Sequence, residues 1–181
     1  AAMGISYKIY MVPMQVSMGF SQGIMPLVSY NFASGDRKRM KASILFAIKL
    51  VVPALAVVTL LYYIGSGELI SLFMKNESII AYGSRFLRGF SLGLAFLSLD
   101  FLTVGVFQSL GFGKYALLFA VMRKLVLEIP ALLILNAIFP LYGLAYAQFT
   151  AELILGVCAI LMLRYIFRKY GNNIKTTTDP S

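Results

Sequence analysis

Histidine and tryptophan are absent from this chain, and it has a single cysteine, Cys158. Without histidine, Ser-His-Asp triads, imidazole acid–base chemistry and the common zinc sites are unavailable. One cysteine makes no intrachain disulfide and no CxxC metal site, and no histidine is present to activate its thiol. Charge is scarce as well: 13% of residues are charged, and the 7 acidic residues are outnumbered by 16 basic ones. That is too little to cover a soluble surface. The apolar share is 60%, well above the ~45–50% of soluble domains, and the mean hydropathy is +0.83. The net charge of +9 does not make a nucleic-acid face. Its basic residues sit in short segments between apolar runs, which is how a bilayer sorts Lys and Arg. Enzyme chemistry and nucleic-acid binding are thereby set aside.

What is present is apolar length. Five stretches, at about residues 9–34, 43–64, 79–110, 117–138 and 142–166, are each long enough to cross a bilayer. No charge falls between Lys8 and Asp36, a longer run than the ~20 residues a spanning helix needs. Such runs read as helices, because isolated strands leave backbone groups unsatisfied in lipid. Breaks come at Ser34-Gly35-Asp36-Arg37, Gly65-Ser66-Gly67, Gly111-Phe112-Gly113-Lys114 and Phe139-Pro140-Leu141-Tyr142-Gly143. The expected fold is an all-α polytopic membrane protein, a five-helix bundle over residues 1–170 with a polar cytoplasmic tail at 171–181.

Basic residues distribute unevenly across the bilayer. Eleven of them lie on the first connection (Arg37, Lys38, Arg39, Lys41), around the start of the fourth helix (Lys114, Arg123, Lys124) and at the C-terminal end (Arg164, Arg168, Lys169, Lys175). The opposite side has Lys8, Lys75, Arg85 and Arg88. The positive-inside rule then places the C-terminus in the cytoplasm, with the chain in the cell's inner (plasma) membrane. The chain opens almost directly into a membrane-type helix, without an initiator Met or a basic n-region, and reads as a piece of a longer protein.

Polar groups inside the spans are expensive and therefore informative. Asp100 falls near the middle of the third span. It either exchanges a proton or cation, or serves as an interhelical hydrogen-bond partner. Gly89, Gly93, Phe96 and Phe107 share its face. Glu152, with Gln148 one turn earlier, is a second candidate titratable group or a partner for Asp100 or an arginine. Glu128 follows Lys124 by four residues, the spacing of a local ion pair. On the first helix Gln15, Gly19, Gln22 and Pro26 form one polar-and-small stripe flanked by Met14 and Met18. That stripe is expected to face the protein interior, as ordinary packing or as an adaptable cavity wall, with Pro26 as a kink or hinge.

Two motifs are more specific. The first helix ends Gln22-Gly23-Ile24-Met25-Pro26-Leu27-Val28-Ser29-Tyr30-Asn31-Phe32-Ala33-Ser34-Gly35-Asp36, followed by a basic segment. Further on stands Phe107-Gln108-Ser109-Leu110-Gly111, with Lys114 and then Arg123. The first resembles the Q-G-x-x-P-L-[VI]-x-Y-N motif of the MATE family of multidrug and toxin extrusion antiporters. The second is similar to that family's F-Q-x-x-G segment between two late helices.

The resemblance implies a twelve-helix fold in two six-helix lobes, of which this chain would be helices eight to twelve. It implies export of organic, often cationic and amphipathic, compounds in exchange for H⁺ or Na⁺ by alternating access, with no cofactor. Asp100 matches the position of a cation-coupling Asp in some members. Gln15, Gln22, Met14, Met18 and Gln148 would line the cavity facing the missing N-terminal lobe. The alternatives are a lipid-linked oligosaccharide flippase of the related superfamily and a non-transporting membrane subunit.

Overall fold

A computed structural model describes residues 2–138 and 143–170. Among these the chain is helix and turn only. The elements are α1 (Ala2–Ala33), α2 (Arg37–Ile64), α3 (Ser66–Ser71), α4 (Glu77–Ser91) and α5 (Leu94–Ser109). They are followed by α6 (Gly113–Val121), a π-helical segment (Met122–Glu128), α7 (Ile129–Ile138) and α8 (Gly143–Tyr170). The expected tail at 171–181 and the Phe139-Pro140-Leu141-Tyr142 segment lie outside the described residues.

Both sequence motifs end helices. Gly35 and Gly111 have φ of +78°, a conformation that side chains with a Cβ rarely adopt. At Gly111 the Phe112 amide donates back to the Phe107 carbonyl at 2.9 Å, the six-to-one bond of a Schellman ending. After Gly35, Asp36 caps α2 by accepting from the Arg39 amide at 2.9 Å. The basic segment is therefore the first turn of α2 rather than a free loop.

α5 is the centre of the bundle. It is apolar all round, packs against α1, α2, α6 and α8, and buries residues on every face. Close approach to α1 depends on Gly105: a Cβ there would collide with the Ser21 hydroxyl. That hydroxyl donates to the Phe101 carbonyl at 2.6 Å. One apolar cluster gathers Tyr10, Phe86, Phe90, Leu94 and Leu97, another Val28, Met40, Ile44, Val106, Leu110 and Ile166. On α5, Asp100 falls between the two.

Polarity is arranged for lipid. Ser6, Ser17, Ser21, Ser98, Thr103, Asp100 and Glu152 are buried, while Phe46, Leu60, Leu61, Phe73, Leu117 and Leu161 are exposed. Small hydroxyl residues at helix interfaces let backbones approach, and large apolar ones are left to face the acyl chains.

The third expected span is not one straight helix. It breaks at Leu92–Gly93 into α4 and α5, bent by 44°. The fourth is interrupted by the π-helical turn, in which the Ile129 amide donates to the Lys124 carbonyl five residues back. Pro130, two residues beyond Glu128, explains the interruption, since it offers no N–H and its ring crowds the carbonyl four residues before it. By length and apolar content alone α2 and the Tyr146–Tyr170 part of α8 qualify as spans, and the α4–α5 pair does so jointly. α1 has the length, 32 residues, but carries the serine and glutamine stripes.

Gly105→Leu should lower stability by about 1–3 kcal/mol through overpacking. The readout is the thermal unfolding midpoint of the detergent-solubilised protein, and an unchanged midpoint would contradict the close α1–α5 crossing.

Candidate functional site

Three charged side chains from three elements meet inside the bundle. The Arg123 guanidinium, on the π-helical segment, donates to Asp100 Oδ2 on α5 at 2.7 Å and to Glu152 Oε1 on α8 at 2.9 Å. Asp100 and Glu152 are 1% and 2% exposed. The fork of the guanidinium suits this bridge, because its two terminal nitrogens can each meet a different carboxylate.

Local structure makes the approach possible. Gly93, at the break between α4 and α5, has no Cβ; one placed there would lie 3.2 Å from Glu152 Cγ. Gly156, one turn after Glu152, similarly leaves room for the Phe96 ring, whose edge would be 2.7 Å from an added Cβ. The wide π turn aims Arg123 inward, while Lys124 beside it points outward to Glu128 at 2.8 Å.

The cluster is incompletely satisfied. Asp100 Oδ1, Glu152 Oε2 and Arg123 Nε are buried without a hydrogen-bond partner among the described residues, as is Ser17 Oγ on the buried face of α1. Native structures leave few such atoms. Arg123 also borders a cavity of about 390 Å³ lined by Met3, Tyr7, Met14, Phe90, Phe101 and Gln148. There the guanidinium lies 5.2 Å from the Phe101 ring centre. Gln148 donates to the Tyr10 hydroxyl at 3.0 Å, fixing the amide beside the cluster.

The candidates named from sequence thus separate. Asp100 and Glu152 come together, and Met14 and Gln148 lie on the cavity. Gln15, Gln22 and Met18 do not join them: all three are exposed, as are Gly19 and Pro26. The interior-facing stripe of α1 is instead Ser6, Tyr10, Pro13, Ser17 and Ser21. Small hydroxyl side chains permit the α1–α5 crossing that glutamines would prevent, and the glutamine stripe lies on a face that this chain leaves uncovered. α1 runs unbroken through Pro13 and Pro26.

Arg123 is the residue that sequence reasoning misplaced. It was counted among the cytoplasmic cations, yet its half-buried side chain is held between two buried carboxylates, which reduces that tally without reversing it. Its signal in the sequence was a pair of carboxylates, Asp100 and Glu152, lying mid-span on two other helices, where a buried acid calls for a cationic partner.

Comparison with known proteins places this geometry. The MatE family model matches residues 1–134. The chain is 31% identical over 168 residues to the multidrug export protein MepA of Staphylococcus saprophyticus, covering 93% of this chain and 37% of that protein. MepA of Staphylococcus haemolyticus is 30% identical, with 92% and 36% covered. The chain thus spans little more than a third of these relatives. Among solved structures it is similar to an inward-facing multidrug resistance MATE transporter of the MOP superfamily (TM-score 0.85, 17% identity, 93% and 40% covered). An outward-facing one gives a TM-score of 0.87 at 16% identity, with 94% and 39% covered. The architecture is that of a membrane transporter, and it covers part of a twelve-helix fold. This chain belongs to the MATE family.

Removing Arg123 strands two buried carboxylates, so Arg123→Gln should destabilise by about 3–5 kcal/mol. Lys124→Ala removes an exposed i,i+4 pair and should change stability by about 0.3–0.5 kcal/mol. Thermal melts of both variants check the contrast, and equal losses would contradict the buried bridge.

Proposed function

We propose that this chain forms most of the C-terminal lobe of a secondary antiporter. The transporter exports organic, often cationic and amphipathic, drugs in exchange for H⁺ or Na⁺ by alternating access. Its other lobe comes from the same protein, its substrates are small molecules, and the whole lies in the cell's inner membrane with the C-terminus cytoplasmic. The observation that carries this reading is the Asp100–Arg123–Glu152 cluster, whose two buried carboxylates each keep one oxygen unpartnered among the described residues and whose arginine borders an aromatic and methionine-lined cavity.

Burial disfavours the ionised state of an unpaired carboxyl, so such a group binds or releases a cation when its surroundings open. Methionines and aromatic rings supply an adaptable surface for varied apolar ligands. The chain fits inward-facing and outward-facing relatives about equally well, which supports a lobe that moves as a body. MepA proteins are named multidrug exporters, which supports the drug class. The cavity cations, Arg123 and Lys124, are both engaged by carboxylates, which disfavours a flippase that would need them for pyrophosphate.

In the full-length transporter, Asp100→Asn should reduce gradient-driven ethidium efflux at least about tenfold, equivalent to about 1.4 kcal/mol. Efflux and ion dependence matching the parent would remove Asp100 from coupling.

A further inference from the structure

One guanidinium and two carboxylates do not balance. Arg123 keeps its proton throughout the physiological range, so with Asp100 and Glu152 both ionised the cluster has one uncompensated negative charge. The two carboxylate oxygens that Arg123 does not reach, Asp100 Oδ1 and Glu152 Oε2, are both buried and unpartnered. Among the described residues of this chain, the surrounding groups do not correct the sum. Tyr10 presents a neutral hydroxyl that accepts from Gln148, and Lys124 and Glu128 cancel each other at the cavity rim. A net charge held this deep in a lipid-covered bundle is costly, whereas one further positive charge makes the cluster neutral.

We propose that Arg123 is a fixed internal counter-charge that sets the number of coupling cations at one per transport cycle. This rests on the reading of Asp100 and Glu152 as the coupling site. Arg123 occupies one of two equivalents of negative charge permanently, and the exchanged cation, proton or Na⁺, takes the other. It is a positioning residue that acts through the two carboxylates. Removing it should raise the count to two. Removing one carboxylate while keeping Arg123 should leave a neutral pair with no call for an external cation.

The test uses the full-length transporter in liposomes with the membrane potential clamped at zero and ethidium as the drug. Separate arms impose a proton gradient at fixed Na⁺ and a Na⁺ gradient at fixed pH, which identifies the cation. A tenfold gradient sustains about a tenfold drug gradient with one cation per drug and about a hundredfold with two. The parent should give about tenfold in one arm. Glu152→Gln should accumulate drug independently of both gradients, and Glu152→Gln combined with Arg123→Gln, which restores a single negative charge, should recover about tenfold. Arg123→Gln alone, where it folds, should approach a hundredfold. A persistent tenfold response in Glu152→Gln, or no recovery in the double variant, would overturn the role of Arg123. A parent indifferent to both gradients would overturn the coupling reading itself, and this inference with it.

Discussion

A guanidinium bridging two buried carboxylates constrains every element that carries a member of the bridge. α5 brings Asp100, α8 brings Glu152, and the π-helical turn brings Arg123. None of these groups is tolerable at that depth alone, because an isolated ion in a low-dielectric interior costs several kcal/mol. Each helix position is thus tied to the other two. The unusual local features follow from that requirement. Gly93 and Gly156 remove the atoms that would keep α4, α5 and α8 apart, and the π turn before Pro130 reorients one arginine while its neighbour Lys124 stays at the rim.

The bridge also sits where movement would alter it. Its arginine borders a cavity with flexible Met3 and Met14 and the rings of Tyr7, Phe90 and Phe101. The apolar clusters on either side of Asp100 give the bundle a packed frame. Under the proposed coupling role, such a frame would let the ionic layer take up a cation without unfolding.

Much of the fold was legible because lipid simplifies the code. Long uncharged runs, glycine breaks and the sidedness of basic residues gave helix order, and Gln22 to Asp36 gave the family. Gln15 and Gln22 drew attention as polar groups in a membrane helix, yet the buried face belongs to Ser17 and Ser21, whose small size is what packing selects. Asp100 and Glu152 stood out because carboxylates in spans are rare. Arg123 did not, because an arginine near a helix start reads equally as a cytoplasmic charge. Only the π turn, which the Lys124 and Glu128 spacing did not reveal, turns it inward. The bend at Gly93 was hidden for a similar reason, as Gly89 and Gly93 read as part of the continuous helix face that carries Asp100 rather than as a break.

The central claim is that Asp100 and Arg123 are energetically coupled inside the bundle. A double-mutant cycle with Asp100→Asn and Arg123→Gln, measured by thermal stability of the purified transporter, tests it directly. The account predicts a combined loss smaller than the sum of the single losses by about 1–3 kcal/mol, as expected for residues sharing a buried ion pair. Additive losses would contradict it.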